Sequence, residues 1–294
     1  MRLNTARARL SCWGTRGTFP SPGTHSVRYG GHTSCVDVHL ANGTRVILDA
    51  GTGLRVLGQH WPAATQSGAV IPVLLTHRHS DHVIGLSHFA PLISRTHAVR
   101  IACADVDDEA LRGFIHQQLS APLFPTLDGI IEAVTIASFD AGGCLSLGPF
   151  CHVQALPARH PGGAAVLRVH DEHGPLLAFA PDNELSLAND APDVVEWRES
   201  LEIALRGVPV LLHDATFTNE ELDAHRGWGH STVEEATEFA MRCEVGTLLL
   251  MHHHPDRSDD DIDQLVDRCK EIASRAGSPL RVVAAADGMV LDIG

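Results

Sequence analysis

The chain has 294 residues, 44% of them hydrophobic, and 36 acidic against 22 basic side chains give a formal net charge of −14. A chain of this length can bury one large core or two modest ones. The acidic balance argues against a protein built to wrap nucleic acid, which needs a basic stripe, but admits a small anionic substrate where bound cations make a site locally positive.

In chain order, a short strand-like run follows Arg9. Apolar and alternating segments then predict strands over 35–40 and 45–48, a helix over 53–60, a strand over 70–75 and helices over 82–93 and 106–119. Strands over 150–156, 164–169 and 176–180 follow. A helix over 194–205, a strand over 208–212, a helix over 232–242, a strand over 247–251, a helix over 259–275 and a strand over 281–285 complete the series. Ser231 or Thr232 ahead of Glu234 and Glu235, and Ser258 ahead of Asp259 to Asp261, read as helix N-caps. The Pro/Gly-rich stretches 20–31 and 121–129 read as loops rimming a site. Strands interleaved with helices over the whole length, without a low-complexity linker, predict one domain over 1–294, built of two similar halves with helices outside sheet layers. The seven cysteines form no C-x-x-C pair and read as mostly buried structural thiols. Without a charged-plus-apolar leader or a membrane-length apolar run, the sequence predicts a soluble, cytoplasmic protein.

The strongest local signal is Thr76-His77-Arg78-His79-Ser80-Asp81-His82, directly after the strand predicted over 70–75. His77 and His79, two apart in extended chain, project to one side, toward one ion. Asp81 and His82 come after the turn and can face a second ion beside it. Imidazole nitrogens with a carboxylate oxygen suit zinc, iron(II) or manganese(II). Three further strand ends carry the same residue types: His160 after 150–156, Asp182 after 176–180, and His252-His253-His254 after 247–251. Four strands ending in His or Asp are what loops converging on a metal pair require.

These residues resemble the metallo-β-lactamase superfamily. The H-x-H-x-D-H motif stands as His77, His79, Asp81 and His82, the isolated histidine as His160 and the bridging aspartate as Asp182. The late strand-end histidine is one of His252, His253 and His254, and His252, directly after the strand, is favoured. The resemblance implies the αββα sandwich and two divalent ions per chain, zinc first, with manganese or iron as alternatives. It assigns His77, His79 and His160 to one ion and Asp81, His82 and His252 to the other, with Asp182 shared. The opening segments Trp13 to Pro20, Tyr29 to Cys35 and Leu48 to Gly53 are similar to the phosphodiesterase side of that superfamily. Asp49 is expected to order a ligand histidine or the metal-loop backbone. Ser34 and Arg16 are further candidates for support or substrate contact, and Arg16 and Arg159 for clamping phosphate.

Within the superfamily, common β-lactamases supply a cysteine to the second ion; here Asp182 takes that late position, and antibiotic hydrolysis is disfavoured. His213-Asp214-Ala215-Thr216-Phe217 and Gly229-His230-Ser231-Thr232 resemble segments of tRNase Z-like phosphodiesterases. That likeness makes His230 the candidate acid for a departing oxygen, beside Asp81 as the other catalytic candidate. Only 22 residues separate His160 from Asp182, too few for the long arm with which tRNA-processing members grip their substrate. The expectation is a hydrolase of a small or cyclic phosphodiester, using a hydroxide shared by two ions. A thioester or lactone hydrolase is the alternative, and a tRNA 3′-end nuclease is disfavoured. No extended nucleic acid and no membrane partner are expected; a homodimer is compatible.

Overall fold

The apolar runs pair into two seven-stranded sheets in the computed structural model, which describes residues 6–61, 70–125, 129–140, 142–186 and 191–294. One sheet comprises β1 (Ala8–Gly14), β2 (Cys35–Leu40), β3 (Arg45–Leu48), β4 (Ile71–Leu75), β5 (Val99–Ala104), β6 (Val134–Phe139) and β14 (Val290–Ile293), ordered β14-β1-β2-β3-β4-β5-β6. The other comprises β7 (Cys144–Ser146), β8 (Cys151–Ala158), β9 (Ala164–Asp171), β10 (Gly174–Ala180), β11 (Val210–Asp214), β12 (Thr247–Met251) and β13 (Arg281–Ala284), ordered β13-β12-β11-β10-β9-β8-β7. Each sheet has an antiparallel half and a parallel half: β14 through β3 and β7 through β10 run antiparallel, β3 through β6 and β10 through β13 parallel.

Period-two alternation decides which layer each side chain joins. Val46 and Leu48 of β3, Leu74 of β4, Leu167 and Val169 of β9, Leu212 of β11 and Leu249 of β12 fill the core between the sheets. Their neighbours point the other way. Ile47, Val73 and Leu75 meet α1 (Gly53–Gln59), α2 (Ala90–Ile93) and α3 (Asp108–Gln118). Val166, Leu211, Leu248 and Leu250 meet α4 (Pro192–Leu205), α6 (Val233–Arg242) and α7 (Asp259–Arg275), with the short α5 (Leu222–His225) preceding α6 in the chain. Parallel strands covered on both faces read as continuous apolar runs for this reason. The result is the αββα sandwich. Among the described residues, no helix is long and apolar enough to cross a membrane.

The helix expected over 82–93 is corrected. The chain forms 3₁₀ turns over Ser80–His82 and Ile84–His88 before the four-residue α2. The backbone there bonds across the molecule, with the Ala50 amide donating to the His82 carbonyl and the Gly85 amide to the Ala50 carbonyl, each at 2.8 Å. Gly85 also lies so close to Gly51 that a Cβ would come to 2.0 Å from its carbonyl oxygen. Strands β5, β6, β7 and β14 were not expected; β5 carries small Ala and Cys residues, and β6 and β7 are weakly patterned strands at sheet edges. Thr232 rather than Ser231 caps α6, in a capping box with Glu235, and Ser258 forms the same box with Asp261 at α7. Asp259 is otherwise engaged, accepting from the Arg28 and Tyr29 amides and so tying the 20–31 loop to α7. Of the 121–129 stretch, residues 126–128 lie outside the described residues. Six of the seven cysteines are buried and Cys144 is exposed.

The half-buried Asp287 carboxylate anchors the same loop, accepting from the His32 amide at 3.0 Å and the Thr15 hydroxyl at 3.3 Å. Burial pushes its carboxyl up to about 6, against these hydrogen bonds and the nearby Arg16 charge. A raised acid favours folding below its unfolded value of about 3.9, and the advantage is lost as pH rises through about 6. Urea unfolding of wild type and Asp287→Asn across pH 4 to 7 should therefore show the variant gaining roughly 2–3 kcal/mol relative to wild type as pH rises. A stability difference independent of pH would remove this titration from Asp287.

Candidate metal centre

Four strand ends deliver the cluster. The chain leaves β4 at Leu75 and presents His77 and His79, and the following 3₁₀ turn places Asp81 and His82. His160 follows β8, Asp182 follows β10, and His252 directly follows β12. His77, His79, His160 and Asp182 form one group whose ligand atoms all lie within 4.8 Å of each other, and Asp81, His82 and His252 form a second. Asp182 stands between them. Its Oδ2 is 3.4 Å from His160 Nε2 and 3.6 Å from His77 Nε2, and its Oδ1 is 3.0 Å from His82 Nε2 and 3.2 Å from His252 Nε2. His252 adopts a left-handed backbone, φ 57°, and Gly17 packs on its ring where a Cβ would come to 2.2 Å.

The outward nitrogens of these rings are held by the fold. His82 Nδ1 donates to Asp49 at 2.7 Å, and His77 Nδ1 to the Thr76 hydroxyl, which in turn donates to Asp49 at 3.0 Å. Ser34 donates to Asp49 from the other side at 3.2 Å. In the second sheet the device recurs: His252 Nδ1 meets the Thr216 hydroxyl at 3.0 Å, and Thr216 donates to Asp214 at 2.7 Å. Asp214 also accepts from His230 Nδ1 at 2.7 Å. His160 Nδ1 donates to the Gly229 carbonyl at 2.9 Å, and the left-handed Gly229 is required there because a Cβ would strike the His160 ring at 2.2 Å. Fixing one nitrogen as a donor turns the other lone pair inward.

Some inward atoms meet each other, His160 Nε2 lying 3.0 Å from His79 Nδ1 and His252 Nε2 3.3 Å from Asp81 Oδ2, but three have no hydrogen-bond partner. His77 Nε2, His82 Nε2 and Asp182 Oδ1 are buried without a hydrogen bond, although His82 Nε2 and Asp182 Oδ1 lie only 3.0 Å apart. Buried polar atoms left unpaired are costly, and a divalent cation satisfies such a nitrogen-and-carboxylate donor set. The residues fit metal ions.

The family model of the Beta-lactamase superfamily domain matches residues 44–253, which carry the whole cluster. The chain belongs to the beta-lactamase superfamily. It is a metal-dependent hydrolase. A curated relative, ribonuclease Z of Shouchella clausii, is 24% identical over 257 residues, spanning 72% of this chain and 77% of that protein. Among solved structures, the metallo-beta-lactamase fold protein YhfI of Bacillus subtilis superposes with a TM-score of 0.70 at 21% identity, over 98% of this chain and 99% of that one. A diphosphatase of the PhnP family superposes with a TM-score of 0.65 at 17% identity, over 98% of both chains. At these identities the structural likenesses establish the beta-lactamase superfamily fold and nothing finer.

Charge in the superfamily centre is arranged to draw cations. Burial works against the Asp182 charge, yet His252 and His82 hold its carboxyl well below the usual range, and Asp182, Asp49 and Asp81 in turn outweigh burial and hold His82 well above its ordinary value. Asp81, opposed by burial in the same way, is also held low, chiefly by His82 and His252. Burial followed by neighbouring imidazoles keeps His77 well below its ordinary value, so its nitrogen is a free base. Burial also disfavours the charge on His230, but Asp214 outweighs it and raises that imidazole to about 9.

Several sequence candidates fall elsewhere. His253 turns away to donate to the Ala285 carbonyl, and the half-buried His254 lies beside Phe217. Arg16 is fully buried, donating Nε to Gly30 O and Nη1 to the His254 and Arg257 carbonyls. Arg159 lies over the Trp197 ring of α4. Each keeps one buried guanidinium nitrogen, Arg16 Nη2 and Arg159 Nη1, without a hydrogen-bond partner. Sequence reasoning passed over Thr76, Thr216 and Glu184. Each threonine stands near a ligand or within a noted segment, but a hydroxyl's role depends on which strand end it faces. The buried Glu184 accepts from the Gly227 and Gly229 amides at 3.0 and 2.9 Å and so sets the loop that carries His230.

Thr216→Val should weaken divalent-metal binding about 10–100-fold in chelator competition. Thr237→Val, which removes a buried hydroxyl spent on the Val233 carbonyl within α6, should leave it unchanged. Equal effects would assign Thr216 to packing alone.

Proposed function

We propose that the protein is a phosphodiesterase acting on a small or cyclic phosphodiester, with two divalent ions, zinc before manganese or iron(II), held by His77, His79, His160, Asp81, His82, His252 and the shared Asp182. The observation that carries this reading is His230. Its ring stacks on His252 at 4.9 Å between centroids and lies 5.2 Å from His160, so it borders the cluster. Its Nδ1 is spent on Asp214, which leaves Nε2 for the site. A carbonyl substrate with a good leaving group does not need such an acid; an alkoxide leaving phosphorus does. Ions bound in this site supply Lewis-acid charge and lower the pKa of water.

The residues divide the remaining work. Asp214 keeps His230 oriented and favours its protonated form, and Glu184 fixes the loop that presents it. His230 then hands its Nε2 proton to the departing oxygen. Asp81, whose Oδ2 accepts from the Thr18 amide at 2.8 Å, is the carboxylate placed to orient the attacking water. β9 and β10 join through a tight turn, Asp171 pairing with Gly174, so the 160–182 segment holds no arm with which to grip an RNA. The relatives named as ribonucleases and the neighbour named as a diphosphatase support phosphoester chemistry for this chain.

Metal-replete protein is expected to hydrolyse bis-p-nitrophenyl phosphate and at least one member of a cyclic nucleotide panel. Cleavage of thioesters or lactones with every phosphodiester left intact would overturn the reading. His230→Ala should lower kcat about 10²–10⁴-fold on alkyl leaving groups and far less on nitrophenolate. Equal losses on both would remove its role as acid.

A further inference from the structure

A cavity of about 380 Å³ opens beside the cluster, walled by His77, Arg78, His79, the 103–106 connection after β5, Phe114 of α3 and the 162–165 turn. We infer that Arg78 makes this cavity a second anion-binding position, so that the substrate is a phosphodiester whose retained half carries a further anionic group such as a phosphate. The inference rests on the proposed phosphodiester chemistry for the identity of the group that is cleaved.

The position of Arg78 follows from the motif itself. In extended chain, neighbouring side chains point to opposite sides. His77 and His79 face the cluster, so Arg78 between them is sent the other way, into the cavity. The same two histidines line both spaces, which makes the cavity continuous with the centre. Arg78 is exposed, and among the described residues no carboxylate stands in ion-pair contact with it. Asp105 also lines the wall, out of ion-pair contact with Arg78. The guanidinium carbon lies 5.7 Å from the centroid of the Phe114 ring, and a guanidinium resting against an aromatic ring keeps its N–H fork free for a bidentate anion.

Among the described residues, nine arginines are neutralised by carboxylates, and Arg78 is among those that are not. Arg7, Arg9, Arg28, Arg45, Arg226, Arg242, Arg257, Arg268 and Arg275 all hold carboxylates. With 14 excess negative charges on the chain, an uncommitted guanidinium at a cavity mouth is a local attraction for anions that its surroundings do not offer. Opposite it, Gly162 and Gly163 both have φ 84°, and a Cβ on Gly163 would meet nothing within 4 Å, so that wall is bare backbone with room for a ligand.

The test reads binding without turnover. Calorimetry on the metal-replete protein compares thymidine 3′,5′-bisphosphate with thymidine 5′-phosphate. Wild type should prefer the bisphosphate by about tenfold or more, as expected for one charge-assisted anion contact. Arg78→Ala should reduce that preference to less than about twofold, and Arg78→Lys, which keeps the charge but not the fork, should retain an intermediate preference. Absence of a preference in wild type, or its persistence in Arg78→Ala, overturns the inference. An Arg78-dependent preference in a protein that cleaves no phosphodiester would overturn the phosphodiesterase reading and leave the anion position standing.

Discussion

Two buried carboxylates, Asp49 and Asp214, organise the centre from opposite sheets. Each binds one histidine directly and a second through a threonine hydroxyl: Asp49 takes His82 and, through Thr76, His77; Asp214 takes His230 and, through Thr216, His252. A carboxylate can only accept, so every ring in these chains must donate from Nδ1. Four tautomers are thereby set without any of the four rings touching solvent on that side. The inward face is then a concentration of lone pairs, and the geometry of the cluster is inherited from carboxylates that take no place in it. Asp49 adopts a left-handed backbone with φ 59° to reach this position, a conformation that costs a non-glycine residue free energy and persists where surrounding contacts over-determine it.

The sandwich makes such a concentration tolerable. Unpaired buried nitrogens and carboxylates are destabilising, and here they sit at one edge of a core with thoroughly apolar interfaces between the sheets and beneath both helix layers. The strand ends that carry the ligands are anchored by ladders on both sides, so the cluster does not depend on loop rigidity alone. The 3₁₀ turn bearing Asp81 and His82 is the exception, and it is clamped instead by reciprocal backbone bonds to Ala50. That clamp links the metal loop to the residue next to Asp49, so the loop and its supporting carboxylate are tied together through adjacent backbone.

The same placement separates the functions of neighbouring residues in the motif. Along 77–79, alternate side chains serve the cluster and the adjoining cavity. Across the centre, His160 is steered by the Gly229 carbonyl while His230 borders the cluster from the next residue. Glu184 sets that loop through amides on both sides of Trp228. His160 and His230 therefore share a support, and a change in Glu184 would reach both.

Much of this was legible in the chain. The 77–82 motif, His160, Asp182 and His252 announce themselves because a strand end followed by histidine or aspartate is a local pattern, and the period-two apolar runs mark β2, β3 and β4 nearly to the residue. Other features were not legible for physical reasons. The 82–93 segment has helical spacing, but its backbone bonds go to Ala50, 32 and more residues upstream, which no local pattern encodes. Arg16 and Arg159 look like phosphate clamps by residue type, but Arg16 is fully buried and donates to three carbonyls, and Arg159 lies over Trp197 much as Arg78, inside the motif, lies over Phe114. His252, His253 and His254 are equivalent on paper; a left-handed turn at His252 and the carbonyl of Ala285 separate them. The sequence by itself determined which donor atoms exist and on which strands they ride, because those depend on side-chain type and periodicity. Which nitrogens face inward, and which arginines are neutralised by carboxylates, only the tertiary structure decided, because both depend on partners contributed from distant parts of the chain.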